Sequence, residues 1–234
     1  MQEQHNISRG HKLWREWRGL IVFIVVMLLF RSAVADWNHV PTGSMLPTIV
    51  EGDRIVVDKL AYDVRVPFTH IRLARHTEPQ RSDIVTFESP KDATLLVKRI
   101  VGVPGDIVEL RKNKLWVNGE AARYEPLAAT TAPQRLQHEL PYLDLASERV
   151  LGATRPVITA KHTHASVRDS FGPIEVPNNH FLLLGDNRDN SRDFRYFDFV
   201  HRDLILGRAE SIAFSLDFEN YYVPRTDRFF LDLQ

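Results

Sequence analysis

Two side chains combine a reactive group with an unusual setting. The first is Ser44, in the run Thr42-Gly-Ser-Met-Leu-Pro47, which is bracketed by Pro41 and Pro47. A Gly beside a Ser between prolines makes a stiff bend that exposes a hydroxyl, although a plain surface turn is written with the same residues. The second is Lys98. On a strand, Leu96, Lys98 and Ile100 share one face. A lysine between apolar neighbours is poorly hydrated, and complete burial lowers its pKa by up to about 3–5 units. A neutral amine can act as a general base near pH 7. The alternative is a lysine that snorkels from a sheet edge and stays charged.

Other chemistries drop out. The chain has no cysteine, so disulfides, thiolate catalysis and Cys-based zinc or iron–sulfur sites are excluded. Gly43 directly precedes Ser44, so there is no Gly-x-Ser-x-Gly elbow, and Pro47 stands where a Ser-x-x-Lys motif needs its lysine. His138-Glu139 begins like a zincin motif, but position 142 is Tyr. His162-x-His164 lacks a third ligand and reads as a solvated loop. Asp186-Asn-Arg-Asp-Asn190 lacks the Gly and distant Glu of a calcium loop, and Asx hydrogen bonds in a tight turn account for it as well. No metal and no cofactor is expected.

The 234 residues are 44% apolar and 26% charged, an ordinary globular composition. Thirty Lys+Arg balance thirty Asp+Glu, which argues against a nucleic-acid partner, since that needs a basic surplus.

The elements that must position Ser44 and Lys98 are short and β-like. Arg54–Asp58, Asp83–Phe87, Leu95–Val101 and Asp106–Leu110 are β-branched runs near Gly or Pro. A hairpin is predicted over Leu110–Trp116 around Lys112-Asn113, with a second turn at Asn118-Gly119. His180–Leu184 and Leu204–Leu206 supply later strands. No long amphipathic helix stands out. The stretch 120–179 is interrupted by prolines and reads as an insertion, either poorly ordered or carrying a small sheet of its own.

The N-terminal segment differs. Leu20–Phe30 is unbroken and apolar, too short alone for the roughly 20 residues of a membrane span. Trp14 and Trp17 precede it and Trp37 follows, and a helix from Trp17 to Trp37 would rise about 30 Å. Arg31 would have to snorkel. Arg9, Lys12, Arg15 and Arg18 precede the apolar run and no Lys or Arg lies between Arg31 and Arg54, so the positive-inside rule puts the N-terminus in the cytoplasm. Ala33-Val34-Ala35 also has the form of a signal-peptide cleavage site. On residues alone, anchor and cleaved leader stand equal.

Together these residues resemble the bacterial type I signal peptidases, the leader peptidases. Pro41–Thr48 resembles that family's Ser motif, and Glu51–Asp58 the next. Arg81–Phe87 with Val97–Asp106 resembles the Lys motif, and Gly185–Ser191, continuing through Asp193 to Arg195-Tyr196, the last. The placement of Arg31-Ser32 also fits and favours an anchor. The resemblance implies a Ser/Lys dyad, with Ser44 as nucleophile and Lys98 as general base. It gives the Thr42 hydroxyl and the Ser44 N–H the oxyanion, Ser191 the orientation of the lysine, and Asp193 and Arg188 supporting roles. Val40, Met45 and Val97 would line a shallow pocket for the small residues at −1 and −3 of the cut.

The implied architecture is mainly β: an antiparallel catalytic core over 38–119 and 180–216 with a β-rich insertion over 120–179. A cytoplasmic segment 1–18 and a transmembrane helix 19–37 precede it, and a tail 217–234 follows. The implied partners are preprotein signal peptides and the lipid bilayer. The implied place is the bacterial inner membrane, single-pass, with the catalytic part on the periplasmic side. Phe194 and Arg192 stand where the family commonly has a Ser and a small residue, Phe197-Asp198 where it has an aromatic-Gly pair, and Asn38 where it has an aromatic. Two other readings remain: a specialised maturation peptidase with few substrates, for example linked to conjugation, or an inactive membrane-anchored binding homologue.

Overall fold

A computed structural model describes residues 3–69, 71–162, 167–218 and 220–233, with side chains from residue 14 onward. The frame is a 9-stranded antiparallel sheet. Its main path runs through the strands Ala35–His39, Asp53–Asp58, Ile205–Asp217, Ile84–Glu88, Leu95–Gly102, His180–Leu184 and Val200–His201. Three of the four predicted β-branched runs lie within a residue or so of these strands, and the fourth, Asp106–Leu110, falls on Ile107–Arg111 in another sheet. The central ones are buried on both faces, which is why they read as near-continuous apolar runs. Val101, Leu182 and Leu184 pack into one core cluster. Val85, Ile100, Phe181 and Leu183 pack into another.

The hairpin at Lys112-Asn113 forms, and both turn residues have positive φ, 48° and 60°, as a two-residue turn between right-twisted strands requires. It joins Ile107–Arg111 to Lys114–Val117, and Asn118-Gly119 turns the chain into Glu120-Ala121. Phe171–Glu175 pairs with Ile107–Arg111, so both ends of the 120–179 stretch belong to the sheet of this hairpin. Between them Arg123–Pro126, Leu143–Val150 and Ala153–Ala160 form a separate three-stranded sheet.

Two elements differ from the sequence expectation. The strand expected over Leu204–Leu206 runs on to Asp217, through bulges that break its periodicity. The helix expected over 19–37 spans Glu3–Ala33 instead, and Trp37 lies on the first strand, paired with Val56. Glu16, Arg18 and Arg31 punctuate the helix. Among the described residues no helix is long and apolar enough to cross a membrane. Leu20–Phe30 is nonetheless between 41% and 62% exposed at every position.

Candidate active site

Ser44 sits in a single 3-10 turn, Gly43–Met45, entered from an extended Thr42. The segment after strand His180–Leu184 holds this turn. The Asn187 N–H donates to the Ser44 carbonyl at 3.2 Å, and the Asn187 side-chain amide donates to the Gly43 carbonyl at 3.0 Å. Gly185 makes the approach feasible, because a Cβ there would stand 2.4 Å from the Ser44 carbonyl oxygen and 2.3 Å from Ser191 Oγ.

Lys98 reaches the turn from strand Leu95–Gly102, where it pairs with Val85. Its residue is 3% exposed. Nζ lies 2.6 Å from Ser44 Oγ and donates to the Val97 carbonyl at 2.9 Å. Burial lowers the Lys98 pKa from 10.5 to about 8, against the opposing pull of the Asp193 and Asp186 carboxylates. The sequence alternatives thus resolve: the lysine does not snorkel, and the bend at Ser44 faces an amine. A serine hydroxyl against a partly neutral amine can pass its proton to nitrogen and leave an oxygen nucleophile.

The neighbouring strand position faces the other way. Arg99 makes a paired ion bridge to Asp186, Nε–Oδ1 2.9 Å and Nη2–Oδ2 2.7 Å. The Thr48 hydroxyl donates to the same carboxylate at 2.5 Å. Asp186 therefore ties together the serine loop, the lysine strand and the last motif.

Arg188 is buried and does not line the cleft over the pair. It ion-pairs with Glu148 of strand Leu143–Val150 and donates to the Gly185 carbonyl. Arg155 pairs with Glu148 from the next strand at 2.6 Å. Burial alone would raise the Glu148 carboxyl, but Arg188 and Arg155 outweigh it and hold it well below the usual carboxylate range. Asp193 is also buried. It caps helix Phe194–Phe197, pairs with Arg195 and accepts from the Gly185 N–H at 3.1 Å.

A cleft of about 520 Å³ opens over the pair, lined by Thr42, Ser44, Leu96, Lys98, Ser191 and Tyr196, with Asp189, Asn190 and Arg192 at its rim. Thr42 is exposed there and its side chain makes no capping hydrogen bond. Ser191 is buried beside the pair, but its Oγ has no hydrogen-bond partner, so the expected bond to Lys98 is not formed. The expected pocket residues do not line this cleft. Val40 and Met45 are 4% and 1% exposed and pack in the core with Ile49 and Ile55, with Val97 against that cluster. Met45 belongs to the serine turn itself, so this cluster anchors the turn from the core side.

Sequence reasoning missed Arg99, Asn187, Glu148, Arg155 and Gly185 as positioning residues. The alternation of strand Leu95–Gly102 signals that Arg99 faces away from Lys98; nothing local signals Glu148. Among the described residues no group of three or more His, Asp or Glu is placed to hold a metal. His162 is exposed and His164 lies outside the described residues.

Fold and site define a hydroxyl–amine pair set in an antiparallel β frame and held by buried ion pairs. A family model described as "Signal peptidase, peptidase S26" matches residues 14–214, and the chain belongs to that family. Among relatives, it is 34% identical over 180 residues to a signal peptidase I of Pseudomonas fluorescens, covering 76% of this chain and 60% of that protein. It is 30% identical over 238 residues to a signal peptidase I of Rickettsia bellii, covering 92% and 78%. A solved signal peptidase I structure from Enterococcus faecalis aligns with 56% of this chain and 97% of its own at 28% identity, with a TM-score of 0.34, too low to bear on the fold.

Proposed function

We propose that the chain is a serine endopeptidase that removes N-terminal signal peptides from exported preproteins, cutting after small-x-small sequences. The observation that carries this reading is the buried Lys98 Nζ at 2.6 Å from Ser44 Oγ. Neutral Lys98 takes the Ser44 proton as Oγ attacks the carbonyl carbon. The Ser44 N–H and Thr42 hydroxyl stabilise the oxyanion. Protonated Lys98 then gives its proton to the leaving amine, and water, activated by Lys98, hydrolyses the acyl-enzyme. Gly185, Asn187, Arg99 and Asp186 act as positioning residues, with Asp193 and Arg188 as structural supports. Ser191, which lines the same cleft as Lys98, is assigned the orientation of the lysine. Val40, Met45 and Val97, packed together in one apolar cluster that includes a residue of the serine turn, are assigned the selection of small side chains.

Residues 1–18 are assigned to the cytoplasm and the β part, with its 120–179 insertion, to the periplasmic side of the inner membrane. The uncharged stretch 19–30 would rise only about 18 Å, so spanning a hydrocarbon layer of about 30 Å requires the Arg18 and Arg31 heads to reach opposite interfaces. The exposure of Leu20–Phe30 on every side supports a lipid environment. A narrower substrate range is the second reading, favoured by the exposed Arg192 at the cleft rim.

The test is cleavage of a generic preprotein by the detergent-solubilised chain. Ser44→Ala and Lys98→Arg should each abolish it, the latter because guanidinium stays charged. A folded Ser44→Ala chain that still cuts would end this reading. The protein should also resist carbonate extraction from membranes.

A further inference from the structure

Charged groups around the Ser44–Lys98 cleft are unequally free. Asp189, Asn190 and Arg192 stand at its rim, on the segment that follows strand His180–Leu184. Asp189 is taken. Its Oδ1 accepts from the Asn113 amide at 2.7 Å and its Oδ2 from the Ala160 N–H at 2.7 Å, which ties the rim to the insertion. Asp92 lies between strands Ile84–Glu88 and Leu95–Gly102, within electrostatic reach of Arg192. Its carboxylate is engaged as well, accepting from the Thr94 N–H at 3.2 Å. Hydrogen bonds from Ser89 and Thr94 hold it below the usual carboxylate range, and Arg192 adds the smallest contribution. Two nearby cations are spent on backbone carbonyls. Lys91 Nζ donates to the Tyr196 carbonyl. Arg168 donates to the Arg195 carbonyl at 2.6 Å and lies over the Tyr196 ring at 5.3 Å. Arg192 is exposed and forms no hydrogen bond or ion pair with any described residue. Among the described residues that line the cleft, it is the charged group left without a partner.

An extended peptide alternates its side chains, so positions −3, −1 and +2 share one face while −2 and +1 point the other way. In the proposed substrate the small −1 and −3 side chains turn toward the enzyme, which brings +2 to the same side. Upstream of them lies an apolar run, so the charges that can reach the cleft come from residues after the cut. We propose that Arg192 reads a carboxylate, Asp or Glu, at position +2 of the preprotein, and so sets which exported proteins this chain processes fastest. This deepens the proposed signal-peptide cleavage and rests on it. A carboxylate arriving at Arg192 has no partner to displace, and a guanidinium holds it through two parallel N–H bonds. A lysine at +2 meets a like charge and is repelled. The reaction leaves the +2 side chain unchanged, so the contact is made equally in ground state and transition state and acts on KM.

The experiment uses the full chain in a nonionic detergent and three synthetic preprotein peptides, identical except for Asp, Asn or Lys at +2. The parent should cut the Asp peptide with a kcat/KM about tenfold above that of the Asn peptide, and the Asn peptide faster than the Lys peptide, with the difference lying in KM. Arg192→Ala should remove this ranking and Arg192→Glu should reverse it. In the parent the ranking should also shrink as salt rises from about 0.05 to 0.5 M, because the charges are then screened. That measurement needs no variant, so the test stands even where a substitution disturbs the fold. Failure to cut any of the three peptides defeats the proposed function itself. Cutting of all three with equal kcat/KM, or a preference for Asp that survives Arg192→Ala, overturns the role of Arg192 and leaves the cleavage reading in place.

Discussion

Replacing Lys98 by Met should make the folded protein more stable near neutral pH while ending its proposed activity. Burial lowers the lysine pKa from 10.5 to about 8, and that shift corresponds to about 3 kcal/mol. Below pH 8 the amine is charged in both folded and unfolded chains, so the whole penalty is present. Between pH 8 and 10.5 the unfolded chain holds a proton that the folded chain has shed, and stability of the parent rises with pH. Above 10.5 both forms are neutral and the penalty is gone. Met is unbranched and of similar volume, so it fits the same channel. It forfeits the contacts to Val97 and Ser44, at about 1 kcal/mol each. The net gain at pH 7 is then about 1 kcal/mol. The cleaner quantity is the difference between Met variant and parent, which should fall by about 3 kcal/mol from pH 7 to pH 11. Urea unfolding of the full chain in mild detergent at several pH values reads it directly. A difference that stays flat across that range, or a Met variant less stable than the parent at pH 7, would refute the claim that Lys98 is held desolvated.

The same shift predicts the pH profile of kcat/KM. Activity should rise about fivefold from pH 7 to 8 and less than twofold from pH 8 to 9, as the neutral amine saturates; a rate that still climbs about eightfold from pH 9 to 10 would indicate a hydrated lysine. Gly185→Ala places a Cβ 2.4 Å from the Ser44 carbonyl oxygen, so it should push the serine turn away and lower kcat by about a hundredfold with the fold intact by circular dichroism; an unchanged kcat would show the close approach is dispensable. Thr42→Val keeps shape and removes the hydroxyl, and should cost roughly 10²–10³ in kcat with little change in KM, whereas normal turnover would place the oxyanion donors elsewhere.

The strands around Lys98 were legible because local chemistry and tertiary demand agree there. Central strands such as Ile84–Glu88 are buried on both faces, so their apolar runs survive reading without any partner in view. The Lys112-Asn113 turn was legible from Asn113 and the flanking apolar runs, since Asn tolerates the positive φ it adopts there. Strand Ile205–Asp217 was only partly legible, because bulges shift its register and erase the two-residue period. The serine and lysine could be picked out as oddities, but their meeting joins segments far apart in sequence and no periodicity encodes it. Glu148 was invisible: it lies in a stretch that reads as an insertion, and becomes a positioning residue only once Arg188 and Arg155 converge on it. The helix end was misplaced because tryptophan spacing suggested a longer rod, while Ala35–His39 instead finds strand partners in Asp53–Asp58.

Strand Leu95–Gly102 carries lysine and arginine at successive positions on opposite faces, the one against Ser44 and the other against Asp186. Because side chains alternate strictly, slipping this strand by one residue against Ile84–Glu88 would exchange the two. A guanidinium would then face the serine, and it cannot give up its proton. Lys98 would meet Asp186 and lose the paired geometry that fixes the serine loop. A chain folded in the wrong register is therefore inert, with no weakened or misdirected cutting activity. For the proposed protease, made inside a cell that it must not digest, the arithmetic of one β-strand serves as quality control: only the correctly assembled sheet sets a lysine amine against the serine.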